Sequence, residues 1–221
     1  MRTVKKKMLM VMRLYSGLEG TLASLNWKPE GVPTVYNFIN HASKKYDVSL
    51  ILTCKDSGET YTSGWDDSDD KAFYFKTLNL RVLALSGRNF FHKKLPRKIG
   101  MVFRDIRHLI NISMLVIKEK PDLIYCDGAN VTLAYCLRKL FPKTPLVLRV
   151  LGICSFLRYL PGDKRSVHLI YRLAFSGKFS MAIGTQDGTG TEFFFEKILN
   201  KNVPRHVLLN GTDKAVPEKN I

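Results

Sequence analysis

PDLIYCDGANVTLAYCLRKLFPKTPLVLRVLG, Pro121–Gly152, is the stretch that decides the fold. It opens with an apolar run, Pro121–Cys126, that stops at Asp127-Gly128. Val131–Phe141 then carries helical spacing, and a second apolar run, Pro145–Val150, stops at Leu151-Gly152. Two short strands joined by a helix read as a βαβ unit, whose strands lie parallel. The runs are nearly continuous rather than alternating, as expected for strands covered on both faces.

The same punctuation extends outward in both directions. Upstream, Lys7–Met12 (KMLMVM) reads as a central strand, followed by a long loop through Gly17, Gly20 and Gly31. Pro33 opens a helix with Val35, Phe38, Ile39 and Ala42 on one face, and Tyr46–Thr53 is the next strand. Phe73–Phe75 and Arg81–Ser86 are further strands, and Phe103, Ile106, Ile110 and Ile117 recur at helical spacing. Downstream come a helix over 166–176, a strand Phe179–Gly184, a helix Thr191–Leu199 and a strand His206–Leu209 that runs into Asn210-Gly211. Strand and helix alternate throughout, which predicts a single Rossmann-like α/β domain, its parallel sheet flanked by helices.

Composition narrows the partners. Lys and Arg number 35 against 19 Asp and Glu, a formal net charge of +16, so the chain expects a polyanion. No recognition module or array of stacking aromatics is present, which argues against nucleic acid. Cys54, Cys126, Cys136 and Cys154 are scattered without a CxxC pair, the pattern of a reduced, cytoplasmic chain with no zinc site. The acidic cluster Asp66, Asp67, Asp69 and Asp70 lacks the glycine and glutamate of a calcium loop, so no metal is expected. The basic start MRTVKKKMLMVMR has an apolar core of only Met8–Met12, ended by Arg13, and reads as a strand rather than a signal peptide. No apolar stretch approaches the roughly 20 residues of a membrane-spanning helix. Asn111, Asn130 and Asn210 lie in N-x-Ser/Thr sequons that a cytoplasmic chain leaves unmodified.

Ligands of an open parallel sheet bind beyond the carboxyl ends of its strands, so the residues after each strand are the candidates. GTQDGTG (Gly184–Gly190) follows a strand and opens a helix. It is either a phosphate cradle of backbone amides or a tight turn with Thr189 or Thr191 as a helix cap. Asp127 either orients a sugar hydroxyl or acts as a base, or it caps the helix beginning near Ala129. Arg149, within an otherwise apolar strand, meets a buried carboxylate or points at an anion in the cleft. Arg88–His108 has seven Lys or Arg, two His, one Asp and the adjacent Phe90 and Phe91. Such a basic-aromatic segment leading into an amphipathic helix suits an anionic bilayer surface. Its other reading is a solvated basic face with the phenylalanines in the core.

These pieces, in this order, resemble the N-terminal domain of family-four glycosyltransferases of the GT-B architecture over nearly the whole chain. EGVPTVYNFINHASKKYDVSLILT is similar to that family's Gly-Gly loop, helix and following strand. PDLIYCDG and PLVLRVLG resemble two later strands, and VLLNGTD (Val207–Asp213) resembles the passage that leads into the second domain. The sequence departs where many members carry His, here Leu151, in keeping only Gly31 of the Gly-Gly loop, and in lacking Phe after Asp213.

The resemblance implies residues 1–209 as the acceptor-side domain and 210–221 as the start of an interdomain linker. The nucleotide-sugar donor is then held by a C-terminal domain, in cis or in trans, with no cofactor in this chain. Its implied partner is a glycan or lipid-linked acceptor at an anionic membrane surface, which makes the chain peripheral at the inner face of the membrane. The acceptor cleft would draw on Gly31, Thr34, Asp127, Gly128, Arg149, Gly152, Gln186 and Asn210, with Asp127 and Arg149 as catalytic candidates. The membrane contact would draw on Phe90, Phe91, Lys93, Lys94, Arg97, Lys98, Arg104 and Arg107.

Overall fold

The computed structural model describes residues 5–15, 17–27, 33–54, 69–87, 96–162 and 166–209. Its elements run β1 (Lys6–Arg13), α1 (Leu18–Ser24), α2 (Pro33–Lys45), β2 (Tyr46–Thr53), β3 (Lys71–Phe75), β4 (Leu80–Leu85) and α3 (Arg97–Glu119). They continue with β5 (Leu123–Asp127), α4 (Val131–Leu140), β6 (Leu146–Val150), α5 (Ser155–Tyr159), α6 (Ser166–Phe175), β7 (Met181–Thr185), α7 (Thr191–Ile198) and β8 (Arg205–Leu208). The strands form one eight-stranded sheet in the order β3-β4-β2-β1-β5-β6-β7-β8.

Every pairing is parallel except that of β3 with β4. That exception refines the expected all-parallel sheet. Residues 76–79, a single 3-10 turn closed by Asn79 at φ 50, join the two strands. A link so short makes a hairpin, because a parallel crossover needs a dozen residues or more.

The sheet carries a hydrophobic cluster on each face. One joins Ile112 and Val116 of α3, Ala134 and Leu137 of α4, Phe175 of α6, and Phe194 and Phe195 of α7. The other joins Leu18 and Leu22 of α1 with Val35, Tyr36 and Ile39 of α2 over the middle strands. It reaches as far as Tyr125, with Val147 and Leu151 at its margin, and takes in no residue of β7 or β8. Among the described residues, one face of the sheet is thus covered from β4 to β7, whereas the buried cluster on the other stops at β5.

α3 is built the opposite way from an ordinary surface helix, which buries its apolar stripe. Its inward residues include Arg104 and His108, both buried, beside Ile112 and Val116. Its outward residues are Ile99, Val102, Ile106, Ile110, Met114 and Ile117, between 41% and 64% exposed. The recurrence that marks the helix in the sequence is therefore largely its solvent side.

Polar contacts hold α3 down alongside Ile112 and Val116. Arg107 grips both Asp70 carboxylate oxygens at 3.0 and 2.8 Å and donates to the Ser86 carbonyl at 2.7 Å. His108 Nε2 lies 2.8 Å from that same carbonyl. Farther along, Glu119 accepts from Ser49 at 2.7 Å and from Arg81 at 3.2 Å.

Candidate functional site

β1 lies between β2 and β5, so the chain builds outward from β1 in one direction and then crosses to the other side with β5. This is the topological switch point, where an open α/β sheet leaves a crevice. Asp127 ends β5 there and is 0% exposed. Its Oδ2 accepts from the Arg13 amide at 2.7 Å and from the Tyr15 hydroxyl at 2.9 Å. Its Oδ1 accepts from the backbone amide and the side chain of Asn130 at 3.1 and 2.8 Å. Asn130 in turn accepts from Thr53 at 2.9 Å.

Each carboxylate oxygen of Asp127 thus takes two hydrogen bonds, filling its lone pairs. Asp127 is the cap of the turn that starts α4 and the tie between the ends of β1 and β5. In this position it is not open to a substrate. Burial, followed by the charge of Asp127, pushes the Tyr15 hydroxyl well above its ordinary pKa, so Tyr15 remains a proton donor to the carboxylate.

Arg149, the register neighbour of Asp127 on β6, meets different surroundings. It is half-buried, donates to the Thr185 hydroxyl at 3.2 Å, and lines a cavity of about 330 Å³. α2 contributes Thr34, Asn37, Phe38 and His41 to that cavity, β5 contributes Tyr125, and Met12, Leu151, Leu208 and Leu209 complete the walls. Phe38 stacks on Tyr125 at 4.6 Å between ring centroids. Burial pushes the Tyr125 hydroxyl up, and the Arg149 charge opposes this, a sign that the two side chains share one electrostatic environment. Mostly apolar walls with a few convergent polar groups are the usual composition of a small-molecule site.

Of the sequence-predicted cleft residues, the structure brings Thr34 and Arg149 together in this cavity. Gly128 lies against Val150, and Gly152 faces Asp187 so closely that a Cβ there would strike its carboxylate. Gln186 is exposed at the end of β7, where its amide donates to the Leu208 carbonyl at 2.8 Å. Gly31 and Asn210 lie outside the described residues, as does the proposed linker. Sequence reasoning passed over Asn37 and His41. The available signal was their spacing from Thr34, which sets all three on one side of α2.

The Gly184–Gly190 loop is a turn, with one correction: its helix cap is Gly190, at φ 89, rather than a threonine. Thr189 accepts from the Ile153 amide at 2.8 Å and bonds Asp187 at 2.5 Å, while Thr191 donates to the Thr185 carbonyl at 2.8 Å. The Thr189 hydroxyl holds the Asp187 carboxyl below its ordinary pKa, which keeps a negative charge in the loop and works against a phosphate. Gly184 is needed for contact: a Cβ there would lie 2.3 Å from Thr191 Cγ2 and 2.9 Å from the Phe195 ring.

The expected membrane residues divide. Phe90, Phe91, Lys93 and Lys94, and the side chains of Arg97 and Lys98, lie outside what is described. Arg104 is 2% exposed and bonds Asp105 at 2.9 Å, and Arg107 is held by Asp70 and Ser86. Both therefore turn away from the outward side of α3. The cysteines are free thiols, Cys54 and Cys126 buried, Cys136 half-buried and Cys154 exposed.

No family model matches the sequence, and no curated protein matches it either. The fold does have solved counterparts. A sucrose-phosphate synthase chain from Thermosynechococcus elongatus superposes with TM-score 0.53 at 11% identity, over 94% of this chain and 91% of that one. A longer chain of that enzyme gives TM-score 0.56 at 11% identity, over 93% of this chain and 49% of that one. UGT89C1 of Arabidopsis thaliana, complexed with UDP-L-rhamnose, gives 0.51 at 14% identity, over 98% of this chain and 51% of that one. This chain spans about half the length of the latter two. Its fold, an α/β domain with a mostly parallel eight-stranded sheet, matches one half of a GT-B glycosyltransferase.

Proposed function

We infer that this chain is the N-terminal, acceptor-side half of a family-four glycosyltransferase. In this reading a sugar passes from a nucleotide-sugar to a glycan or lipid-linked acceptor at the inner face of the membrane. The observation that carries the reading is the cavity beside Arg149, at the switch point of a sheet whose fold matches one half of a GT-B glycosyltransferase. Its apolar walls suit the hydrophobic portion of an amphiphilic acceptor. Arg149 suits an anionic group such as a phosphate, and Thr34, Asn37 and His41 suit hydroxyls. With Asp127 locked into the fold, Arg149 positions the acceptor. The imidazole of His41, whose Nδ1 lies 2.8 Å from the Asn37 carbonyl, is at the cavity wall within reach of an acceptor hydroxyl. The nucleotide-sugar belongs to a second domain, in cis or in trans.

Titration of this chain with a detergent-solubilised polyprenyl-phosphate-linked sugar, and separately with UDP, tests the reading. Saturable binding of the amphiphile, weakened about tenfold in Arg149→Met, is the expected result, with no saturable binding of UDP. The opposite pattern would place the donor here and overturn the reading. Immunoblotting of the native polypeptide adds an independent check, because a second domain of on the order of 150 residues would be visible as added mass.

A second reading is a non-catalytic membrane- or partner-binding domain derived from such an enzyme. The outward apolar side of α3 favours it. Absence of sugar transfer from the native polypeptide and everything that copurifies with it would select this alternative.

A further inference from the structure

α3 and α6 lie on the same face of the sheet, and α4 packs against both. α6 repeats the outward pattern of α3, with Leu169, Ile170 and Leu173 between 55% and 58% exposed. The layer thus presents two apolar ridges to solvent. The longer, from Ile99 to Ile117, extends about 27 Å at the rise of an α-helix. Soluble monomers seldom expose contiguous apolar surface on this scale unless something covers it.

Charge indicates what the cover is. The two acidic residues of α3 are both in ion pairs, Asp105 with Arg104 and Glu119 with Arg81. No acidic residue occurs between Lys71 and Arg104, and Asp163 is the only one between Gly128 and Gln186. That second span carries Arg138, Lys139, Lys143, Arg158, Arg172 and Lys178 among its basic residues, and Lys118 and Lys120 are exposed at the end of α3. A second copy would bring the same positive field against itself, whereas anionic headgroups complement it. No helix among the described residues is long and apolar enough to cross a membrane, so the ridges suit the plane of the interface.

We propose that the outer face of α3 and α6 seats this chain on an anionic lipid bilayer, with the aliphatic ridges at the level of the acyl chains. The exposed Lys118 and Lys120 at the end of α3, and Lys139 of the intervening α4, then lie at the headgroups. The proposal rests on the membrane part of the function inferred above and assigns it to a surface outside residues 88–98.

Cosedimentation of the full 221-residue chain with vesicles of equal parts phosphatidylcholine and phosphatidylglycerol, against phosphatidylcholine alone, provides the test. The variants are Ile110→Glu/Ile117→Glu, Leu169→Glu/Leu173→Glu and Lys93→Glu/Lys94→Glu, each first checked for a wild-type melting profile. The expected result is binding of the wild type to anionic vesicles only, with a loss of about tenfold or more in partitioning for each ridge variant. If the ridge variants bind like wild type and only Lys93→Glu/Lys94→Glu is released, the seat lies elsewhere and the membrane reading survives without it. If the wild type stays in the supernatant at low salt, the membrane reading and the seat fail together. A dimer in sedimentation velocity that the ridge variants disperse would assign the face to a second copy and overturn the proposal.

Discussion

Asp127 and Arg149 face each other across adjacent strands, yet the fold treats them differently. Asp127 is enclosed by four hydrogen bonds from Arg13, Tyr15 and Asn130, whereas Arg149 opens onto a cavity. The difference teaches that a charged residue at a strand end is not by that fact a functional group. The switch point has to be tied before it can hold anything, and here the tie uses the carboxylate. The guanidinium next to it donates to Thr185 and lines the cavity instead.

The most damaging change should fall on the tie. Asp127→Asn sets an amide against donors that now share a carboxylate, and it should cost about 3 kcal/mol of stability, read as a lower urea midpoint at unchanged slope. An unchanged midpoint would mean that β1 and β5 are held together by something else. Gly184→Ala, behind the cavity, should cost about 2 kcal/mol through the clash with Thr191 and Phe195, measured the same way.

On the cavity side the effect should move from stability to binding. Arg149→Met is expected to change stability by less than about 0.5 kcal/mol, while weakening acceptor binding by about 1.4 kcal/mol, or tenfold. If instead it melts like Asp127→Asn, the contrast between the two residues collapses.

A smaller effect belongs to Asp70. Burial pushes its carboxyl up, but the Ser86 amide and the Arg107 guanidinium outweigh this and hold it below its ordinary value. A pKa lower in the folded than in the unfolded chain gives stability that is complete above the ordinary carboxylate range and is lost as pH falls through the depressed value. Asp70→Asn should therefore cost about 1 kcal/mol near neutral pH. That gap should close in acid, as followed by melting temperature against pH. The mildest test is chemical: a thiol reagent should label Cys154 at once and leave Cys54 and Cys126 protected until the chain unfolds.

The sheet was largely legible because its central strands are buried on both faces, so KMLMVM and YDVSLILT appear as uninterrupted apolar runs. Short elements were not. α1 sits between Gly17 and Leu25 in what reads as loop, and the five residues of α5 give no periodicity to detect. The direction of β3 was readable from the short link to β4, which leaves no room for a crossover helix, but the strand–helix alternation elsewhere masked it. Arg149 was visible as a charge in an apolar strand, whereas His41 and Asn37 look like any polar residues on a helix until α2 is set over the crevice. In α3 the period identified the helix but not its orientation. The side that packs includes Arg104 and His108, and the side that does not is aliphatic.

The polar fastening of α3 has a mechanical consequence. The helix is pinned near its middle to the Ser86 carbonyl by Arg107 and His108, and near its end to Ser49 and Arg81 by Glu119. It cannot roll about its own axis without breaking those bonds. A load on its outer side is therefore passed through those bonds to β2 and β4, successive strands on one side of β1, and to Ser86 just beyond β4.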